Sequence, residues 1–412
     1  MKLENGVYIH IQKSDKFKDV GISLRFMAPL SKETATKRSL LAMMMCDRCK
    51  AYPTKKAMSD KQDYLYGTTL QAQTVGYGRA QVLEIRIKMV DPRYTKCTTL
   101  RNDVLDYLYE VIFQPLLNEE VFQESKSILK NKMQRMLDDP SQYVITKGLH
   151  MGGQNTPLAL SSLGELTDLD QITLSDIHEI YEQLMKENRI DILICGHVDE
   201  HQMIDLMKQK LPFSPRQVDY PTHYTFASDG EPKKIQETRD IKQCSIFMLW
   251  QTNTDICDSD YYALRVANAM FGQYPTSLLF QEVREKHSLC YSIFANLISF
   301  DGAMGVTTGV EKQHIEQAMD LVMTQFERIC MGDFDNHLLE VSKTMMINSL
   351  KATKDAMNPL IAQIYQNAIL HRPMTIDERI NAIQVITKED IQHVFQKCQY
   401  RLGFVLSGEE NK

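Results

Sequence analysis

The 412-residue sequence has no long apolar run, no excess of basic residues and no even set of cysteines that would suggest a disulfide framework. No segment approaches the roughly 20 apolar residues needed to span a bilayer. The N-terminal stretch MKLENGVYIHIQKSDK also lacks the apolar region of a secretory signal. A net charge of −6 argues against nucleic acid as a partner, and nine scattered cysteines are typical of reduced thiols. We therefore expect a cytoplasmic protein with no membrane or nucleic-acid partner.

One cysteine pair, Cys46 and Cys49, forms a C-x-x-C motif. A structural zinc site would need two further ligands at matching spacing, and the sequence has no second such pair. A redox pair would lie at the start of a helix, whereas these residues come late in an apolar helical run. We interpret them as ordinary thiols.

The chain is longer than one ordinary core accommodates, and its order of predicted elements occurs twice. Residues 172–177 (ITLSDI) precede a helix and the strand IDILICG, and residues 386–391 (ITKEDI) precede a helix and the strand LGFVLSG. A repeat of half the chain predicts two copies of one domain. We expect an α+β fold with two homologous domains, each a mainly antiparallel sheet packed with helices. Their predicted bounds are 1–213 and 233–412, with a polar linker at 214–232.

The predicted elements follow from hydrophobic periodicity and from turn residues. The first half has strands at 7–11, 20–26, 68–75, 80–89 and 189–195, with Gly76 and Gly78 in the turn between the third and fourth. Its helices are at 31–50 (capped by Ser31), 56–65, within 98–136 and at 175–185, and a less regular region follows Asp139-Pro140. The second half has strands at 246–250 and 302–310, with helices at 259–270, 313–331 and 336–351.

Residues 277–294 (SLLFQEVREKHSLCYSIF) form the stretch around which the second half is organised. The pattern predicts a helix that ends and continues into a strand. Arg284 falls on the last helical turn and Tyr291 on the strand, so both side chains can lie at one edge. A guanidinium and a phenol there are good donors to a peptide carbonyl. A solvated arginine and a half-buried strand tyrosine are an equally simple interpretation of the same residues.

The sequence resembles the pitrilysin (insulinase) family of zinc peptidases, especially small two-domain members similar to processing peptidases, over essentially the whole chain. The motif LFQEVREKHSLCYSIFA, followed by DGAMGVTTG, carries the resemblance most strongly. Where the family usually has a run of glycines before this helix, the sequence has Gly272-Gln273-Tyr274, and where it has a glycine before the leucine, the sequence has Ser288. The segment LQAQT also matches, with Gln71 where Asn is usual. The resemblance implies a processing-peptidase-like fold.

This family binds zinc through an H-x-x-E-H motif on a helix of the first domain and a glutamate on a later helix. The two histidine positions fall on Ser39 and Met43, the base position on Ala42 and the third-ligand position near Lys132. These side chains cannot hold zinc or activate water. The resemblance therefore implies that this chain has no zinc of its own, no catalytic residue when alone, and zinc only in a partner subunit.

A literal H-x-x-E-H does occur, at His197, Glu200 and His201. A metal site of this kind requires both histidines on one helical face. His197 instead follows Gly196 at the end of a predicted strand, and Asp199 is a good N-cap for a helix at 200–210. We interpret the motif as a chance occurrence that binds no metal.

Catalysis in small members of this family is often shared between a zinc-bearing chain and one that has lost the motif. We predict that this chain is the non-metal subunit of a heterodimeric zinc metallopeptidase that binds and processes unfolded peptides. Arg284 and Tyr291 would bind the substrate and stabilise its oxyanion in the site of the partner. Three alternatives remain: a catalytically inactive structural homologue, a self-dimer that binds peptides, and a zinc peptidase that uses His197, Glu200 and His201.

Overall fold

The computed structural model describes residues 1–218, 221–228 and 230–408. Residues 219–220 and 229 of the predicted linker, and the last four residues of the predicted second domain, lie outside the described residues. The chain forms two compact units. The first unit combines Met1–Gln134, Ser161–Pro221 and Thr353–Arg372, and the second combines Arg135–Leu160, Thr222–Ala352 and the chain from Pro373 onward.

The sheet of the first unit is antiparallel except for one parallel pair, β2 and β6. Its core strands are rich in β-branched and aliphatic residues, which pack well on a pleated surface. The strand order is β1-β2-β6-β3-β5-β4. The strands are β1 (Lys2–Glu4), β2 (Val7–Lys13), β3 (Asp19–Pro29), β4 (Thr69–Tyr77), β5 (Ala80–Val90) and β6 (Arg189–Gly196).

The sheet of the second unit repeats this plan, in the order β7-β11-β8-β10-β9. One end again carries a parallel pair, β7 and β11, and the other end is again a nine-residue edge strand. The strands are β7 (Lys233–Arg239), β8 (Cys244–Gln251), β9 (Cys290–Ile298), β10 (Ala303–Val310) and β11 (Gln399–Gly408). The predicted α+β fold with two homologous, mainly antiparallel sheets is confirmed.

Helices cover these sheets, and none in the described part of the chain is both long and apolar enough to cross a membrane. The α-helices are α1 (Lys32–Asp47), α2 (Lys55–Tyr64), α3 (Leu100–Phe113), α4 (Glu119–Asp138), α5 (Pro140–Gly152), α6 (Leu166–Leu169), α7 (Leu174–Lys186), α8 (Glu200–Lys210), α9 (Tyr261–Asn268), α10 (Ile315–Met331), α11 (Asn336–Thr353), α12 (Met357–Ile369), α13 (Ile376–Gln384) and α14 (Lys388–Gln396).

The sequence repeat corresponds to two capping boxes. In the first half, Thr173 accepts from the backbone N–H of Asp176, whose carboxylate accepts from the backbone N–H of Thr173. Thr387 and Asp390 make the same reciprocal pair in the second half. Each box satisfies orphan donors at the start of the helix that leads into a buried strand, β6 or β11. The short T-x-x-D match therefore marks structurally equivalent helix starts.

Two predictions about local structure in the first half of the chain were wrong. The region after Asp139 is α5, because the Asp139 carboxylate accepts from the backbone N–H groups of Ser141 and Gln142 while Pro140 occupies the first helical turn. Aspartate followed by proline starts a helix here, since proline at this position loses no hydrogen bond. Gly76 belongs to β4, and Gly78, with φ of +58°, forms the turn.

Each compact unit contains one helix from the other half of the sequence. In the second unit, α5 packs on β8, with Gly148 and Gly152 against Phe247 and Leu249. In the first unit, α12 covers β6 and β2 with Ile361 and Tyr365 buried. The compact units therefore do not follow the sequence repeat at these two helices. The domain bounds 1–213 and 233–412, which follow the repeat, stay a prediction.

Candidate active-site surface and degenerate metal positions

The segment that carries Arg284 is a π-helix, Phe280–Lys286, and a second π-helix, Ala269–Gln273, precedes it. Its end is closed by backbone hydrogen bonds that span five and six residues, from His287 N to Glu282 O (3.2 Å) and from Leu289 N to Val283 O (3.0 Å). The sequence predicted an ordinary helix. Seven residues are too few for hydrophobic periodicity to separate the two helix types. π-Helical turns are rare and often lie at functional sites.

Two positions fix the path of this segment. At Gly272, a Cβ would lie 2.6 Å from the Ala295 Cβ and 3.0 Å from the Ala295 backbone N, so glycine lets the first π-helix approach β9 closely. At Ser288 the chain turns towards β9 with φ of +51°, in the left-handed region. Glycine adopts that region without strain and serine does not. This explains why glycine suits the position that Ser288 occupies.

The structure brings Arg284 and Tyr291 together. The guanidinium carbon of Arg284 lies 4.4 Å from the ring centroid of Phe280 and 5.6 Å from that of Tyr291, within the range of cation–π attraction. The Glu285 carboxylate is 3.7 Å from the Arg284 Nε, too far for a hydrogen bond. Tyr291 is 83% exposed. A guanidinium and a phenol therefore occupy one accessible surface.

That surface lies at the edge of the second sheet. Among the described strands, β9 pairs with β10 only, so its other side has no neighbouring strand. Phe294, in the middle of β9, is 50% exposed. An unpaired strand edge with an accessible aromatic ring is suited to binding an extended peptide.

The predicted metal positions of the first unit present no ligands for zinc. The Ser39 hydroxyl is hydrogen-bonded to the Thr74 hydroxyl (2.7 Å) and donates to the Ser162 carbonyl (3.3 Å). Ala42 is buried in the hydrophobic core, and Met43 packs against that core. Lys132 is exposed on α4. Hydroxyl, methyl, thioether and ammonium groups do not form the nitrogen and carboxylate shell that catalytic zinc requires.

The literal H-x-x-E-H does not place its histidines on one helix. Helix α8 begins at Glu200, and the Asp199 carboxylate caps it by accepting from the Gln202 N–H at 2.8 Å. His197 precedes the cap, and its Nδ1 is bonded to the Asp15 carboxylate. The predicted cap and helix bounds are confirmed, but the structure leaves the prediction that this motif binds no metal untested.

The C-x-x-C thiols lie in apolar surroundings. Burial raises the pKa of the Cys46 thiol to about 12, and the Asp47 carboxylate adds to that effect. Burial also raises the pKa of Cys49, whose Sγ lies 3.9 Å from the Met58 Sδ. Thiols with such pKa values stay protonated at neutral pH and are poor nucleophiles.

The second unit contains a cluster of a histidine, an aspartate and a cysteine that the sequence did not predict. The His223 ring contacts the Asp255 carboxylate through Nδ1 (2.5 Å) and the Cys257 thiol through Nε2 (3.6 Å). His223 is more than 30 positions from the other two and lies within the predicted linker. Sequence spacing therefore gave no signal for this cluster.

Comparison with known proteins places the chain in a family. Residues 171–346 match the family model described as Peptidase M16 inactive domain. The chain is 30% identical over 411 residues to the probable inactive metalloprotease YmfF of Bacillus subtilis (strain 168), covering 98% of this chain and 96% of that protein. It is 20% identical over 300 residues to the uncharacterized zinc protease YmxG of the same organism, covering 70% and 71%.

A solved structure agrees with these sequence matches. The crystal structure of a conserved protein from Enterococcus faecalis V583 superposes with a TM-score of 0.93 at 28% identity, covering 100% of this chain and 99% of that one. The predicted resemblance to zinc peptidases is confirmed. Because the match to the inactive metalloprotease covers nearly the whole of both chains, the chain belongs to the peptidase M16 inactive-domain family.

Proposed function

We propose that this chain is the non-metal subunit of a two-chain zinc peptidase, and that it supplies Arg284 and Tyr291 to the active site of a zinc-bearing homologue. The observation that carries the proposal is a contrast between two surfaces. The Arg284–Tyr291 surface keeps two donors together and accessible. The metal positions Ser39, Ala42 and Met43 offer no zinc ligand.

The chemistry of the pair suits a peptide carbonyl that gains negative charge during hydrolysis. Arg284 carries a permanent charge and several N–H donors in a planar fork. Stacking on Phe280 and Tyr291 restrains the fork while its edge can still donate. Donors held in place before the reaction stabilise an oxyanion without reorganising. Zinc and the activated water would come from the partner.

Unfolded peptides fit the strand edges. Both sheets end in nine-residue edge strands, β4 and β9. A peptide added to such an edge is held by backbone hydrogen bonds, which impose little sequence preference. Leu70 to Thr74 of β4, which resemble a family segment, and Tyr291 with Phe294 of β9 would contact the substrate.

The proposed partner is a homologous zinc-bearing chain. B. subtilis has both a relative named an inactive metalloprotease and one named a zinc protease, and both match this chain. One cell can therefore contain both kinds of subunit. We expect a heterodimer in the cytoplasm that is active only when both chains are present.

Substitution of Arg284 in the two-chain complex tests the proposal. The complex with a zinc-bearing homologue from the same cell would be assayed on an unfolded peptide. Because a lost oxyanion donor costs about 10²–10³ in kcat, we expect Arg284→Ala to lower kcat by that order. Tyr291→Phe should lower it less, since only one donor is removed.

Arg265→Ala is the matched control, because Arg265 is a half-buried arginine of the same unit that also lies over a tyrosine ring, at 5.8 Å from Tyr262. It should leave kcat unchanged. Equal activity of the Arg284→Ala and wild-type complexes would contradict the proposal. It would favour the second candidate, a catalytically inactive structural homologue, which the full-length match to a protein named inactive supports.

A further inference from the structure

The His223 cluster has the order of a nucleophile, a base and an orienting acid. All three residues lie in the second unit. The Cys257 Sγ is 3.6 Å from the His223 Nε2, and the His223 Nδ1 is 2.5 Å from the Asp255 Oδ2. The thiol and the carboxylate therefore contact different nitrogens of one imidazole ring, and the sulfur, a carboxylate oxygen and a ring nitrogen all lie within 4.8 Å of one another.

Hydrogen-bonding capacity assigns the protons. An ionised carboxylate only accepts, so the Nδ1 of His223 carries hydrogen and donates it to Asp255. In the neutral ring, the Nε2 then has a free lone pair, and it is the ring nitrogen in contact with the Cys257 thiol. Proton transfer from sulfur to Nε2 produces a thiolate beside an imidazolium, and the Asp255 carboxylate stabilises that imidazolium.

Backbone contacts hold the three groups in place. The Asp255 carboxylate accepts from the Cys257 backbone N–H (2.5 Å), and the Asp258 carboxylate accepts from the Asp255 backbone N–H (2.7 Å). Ile256, between them, is buried. On the other side, the Tyr224 backbone N–H donates to the Phe300 carbonyl at 2.9 Å, which fixes the residue next to His223.

This geometry favours proton transfer over metal binding. A metal ion takes one lone pair from a histidine ring, and its ligand atoms converge on one point about 2.0–2.3 Å away. Here the three ligand atoms lie within 4.8 Å of one another, but the carboxylate and the thiol contact different nitrogens of the ring. An ion bound at Nε2 beside the thiol would leave Asp255 bonded to Nδ1 and outside its coordination shell.

We propose that Cys257 is a reactive thiol that is modified by small-molecule disulfides, with His223 as its base and Asp255 as the residue that orients the base. The proton of the Cys257 thiol moves to the His223 Nε2. The thiolate attacks one sulfur of the disulfide, an S–S bond to Cys257 forms, and the disulfide bond of the reagent breaks. The departing thiolate takes the proton from His223, so charge and electrons balance.

Other cysteines lack this arrangement. Burial raises the pKa of Cys46 to about 12 and that of Cys330 to about 11, in each case with a contribution from a nearby carboxylate. Cys97 is half-buried like Cys257, but its sulfur contacts the Thr99 hydroxyl (3.4 Å) and not a histidine. Cys97 is therefore the internal reference for an ordinary accessible thiol.

The test uses the full chain with iodoacetamide and, separately, with oxidised glutathione. Peptide mass mapping gives the modification rate of each cysteine. An ordinary thiol is only a few per cent ionised at neutral pH, so a thiol with a larger ionised fraction reacts faster. The lower basicity of a thiolate paired with an imidazolium offsets part of that increase in rate. We expect Cys257 to react about tenfold faster than Cys97 with both reagents.

Two variants distinguish activation of the thiol by its base from simple exposure of the thiol to the reagent. His223→Gln should reduce the Cys257 rate to that of Cys97, and Asp255→Asn should give an intermediate rate, while Cys97 keeps its wild-type rate in both. The unchanged Cys97 rate and an unchanged thermal midpoint show that each variant is folded. A Cys257 rate no higher than that of Cys97, or one that His223→Gln does not change, would overturn the proposal.

A pH profile gives a second readout. Titratable groups that contact the thiol, its base or their backbone include His223, Asp255 and Asp258. Because the imidazolium stabilises the thiolate, the Cys257 rate should persist at pH values where the Cys97 rate has fallen. Parallel profiles for the two cysteines would contradict the assignment.

Discussion

At the scale of single residues, Ser288 is a serine at a backbone position that favours glycine. The residue lies between the π-helix of Arg284 and strand β9, with φ of +51°. A side chain in this left-handed region costs roughly 1–2 kcal/mol, and glycine avoids most of that cost. The position next to the proposed active-site surface therefore carries local strain.

Replacement of Ser288 by glycine should stabilise the protein. Relief of the left-handed strain stabilises the folded state by more than the added entropy of glycine stabilises the unfolded chain. We therefore expect a gain of about 0.5–1 kcal/mol in the free energy of unfolding. Urea denaturation would measure it. Ser288→Ala keeps the Cβ and should give no gain. Equal stabilities of the Gly and Ala variants would show that the backbone at this position is not strained.

At the scale of elements, the first sheet contains a buried ionic cluster around Glu84 of β5. Its carboxylate accepts from Ser23 (2.6 Å), Arg25 (3.0 Å) and Gln73 (2.6 Å). Burial disfavours the charged form, but Arg25, these hydrogen bonds and Arg86 outweigh it and lower the pKa of Glu84 from 4.5 to about 2. The network joins β3, β4 and β5.

This cluster predicts a pH dependence of stability. Because the folded pKa of Glu84 is below its unfolded value, its contribution is fully present above about pH 4.5 and decreases as pH falls towards 2. Glu84→Gln leaves the buried Arg25 and the half-buried Arg86 without their anion and should cost about 3–5 kcal/mol at neutral pH. Urea denaturation should show this difference shrinking as the pH falls below 4.5.

Glu179→Gln is the control, since Glu179 is exposed and its carboxylate accepts a hydrogen bond from the Gln183 side chain four residues away. Its stability should follow that of the wild type at each pH. A difference between Glu84→Gln and the wild type that stays constant down to about pH 3 would contradict the assigned pKa of Glu84.

The helix that the second unit takes from the first half of the chain gives another prediction. At Gly148 of α5, a Cβ would lie 2.2 Å from the Phe247 ring, so the helix could not keep its distance from β8. We expect Gly148→Ala to cost about 1–3 kcal/mol, as overpacking does. Thermal unfolding would measure the cost, with Gln142→Ala, on the exposed side of the same helix, as the unchanged control. A neutral Gly148→Ala would show that α5 packs more loosely.

Sequence patterns predicted most elements because their signals are local. Apolar runs gave β3, β5, β8 and β11, and the T-x-x-D boxes gave the helices before the last strand of each half. Three features were not predicted. The π-helix of Arg284 is too short for its period to be visible, α5 depends on a cap that was interpreted as a break, and the pairing of α12 with the first sheet depends on contacts distant in sequence.

In the candidate site, too, only contacts between residues close in sequence could be predicted. The Arg284–Tyr291 pair could be predicted because seven residues separate the two positions and a helix-to-strand turn brings them together. The cluster of His223, Asp255 and Cys257 could not, since it forms only when the segment after the first unit folds against the loop before α9. Local spacing carries no information about such contacts.

At the scale of the whole molecule, the two sheets are equivalent in topology but no longer in chemistry. The first unit contains the positions that the resemblance assigns to zinc binding, and this chain has Ser39, Ala42 and Met43 there. The second unit keeps the arginine and tyrosine at an accessible strand edge. This division is what a subunit needs if it binds substrate but takes its metal site from another chain.

The most direct test of this account is a titration. Peptide turnover by a fixed amount of the zinc-bearing homologue would be measured as this chain is added, and the chain alone would be assayed in parallel. We predict no turnover by the chain alone and a rise in turnover that saturates at equal amounts of the two subunits. Turnover by the isolated chain, or a flat titration at every ratio, would contradict the account.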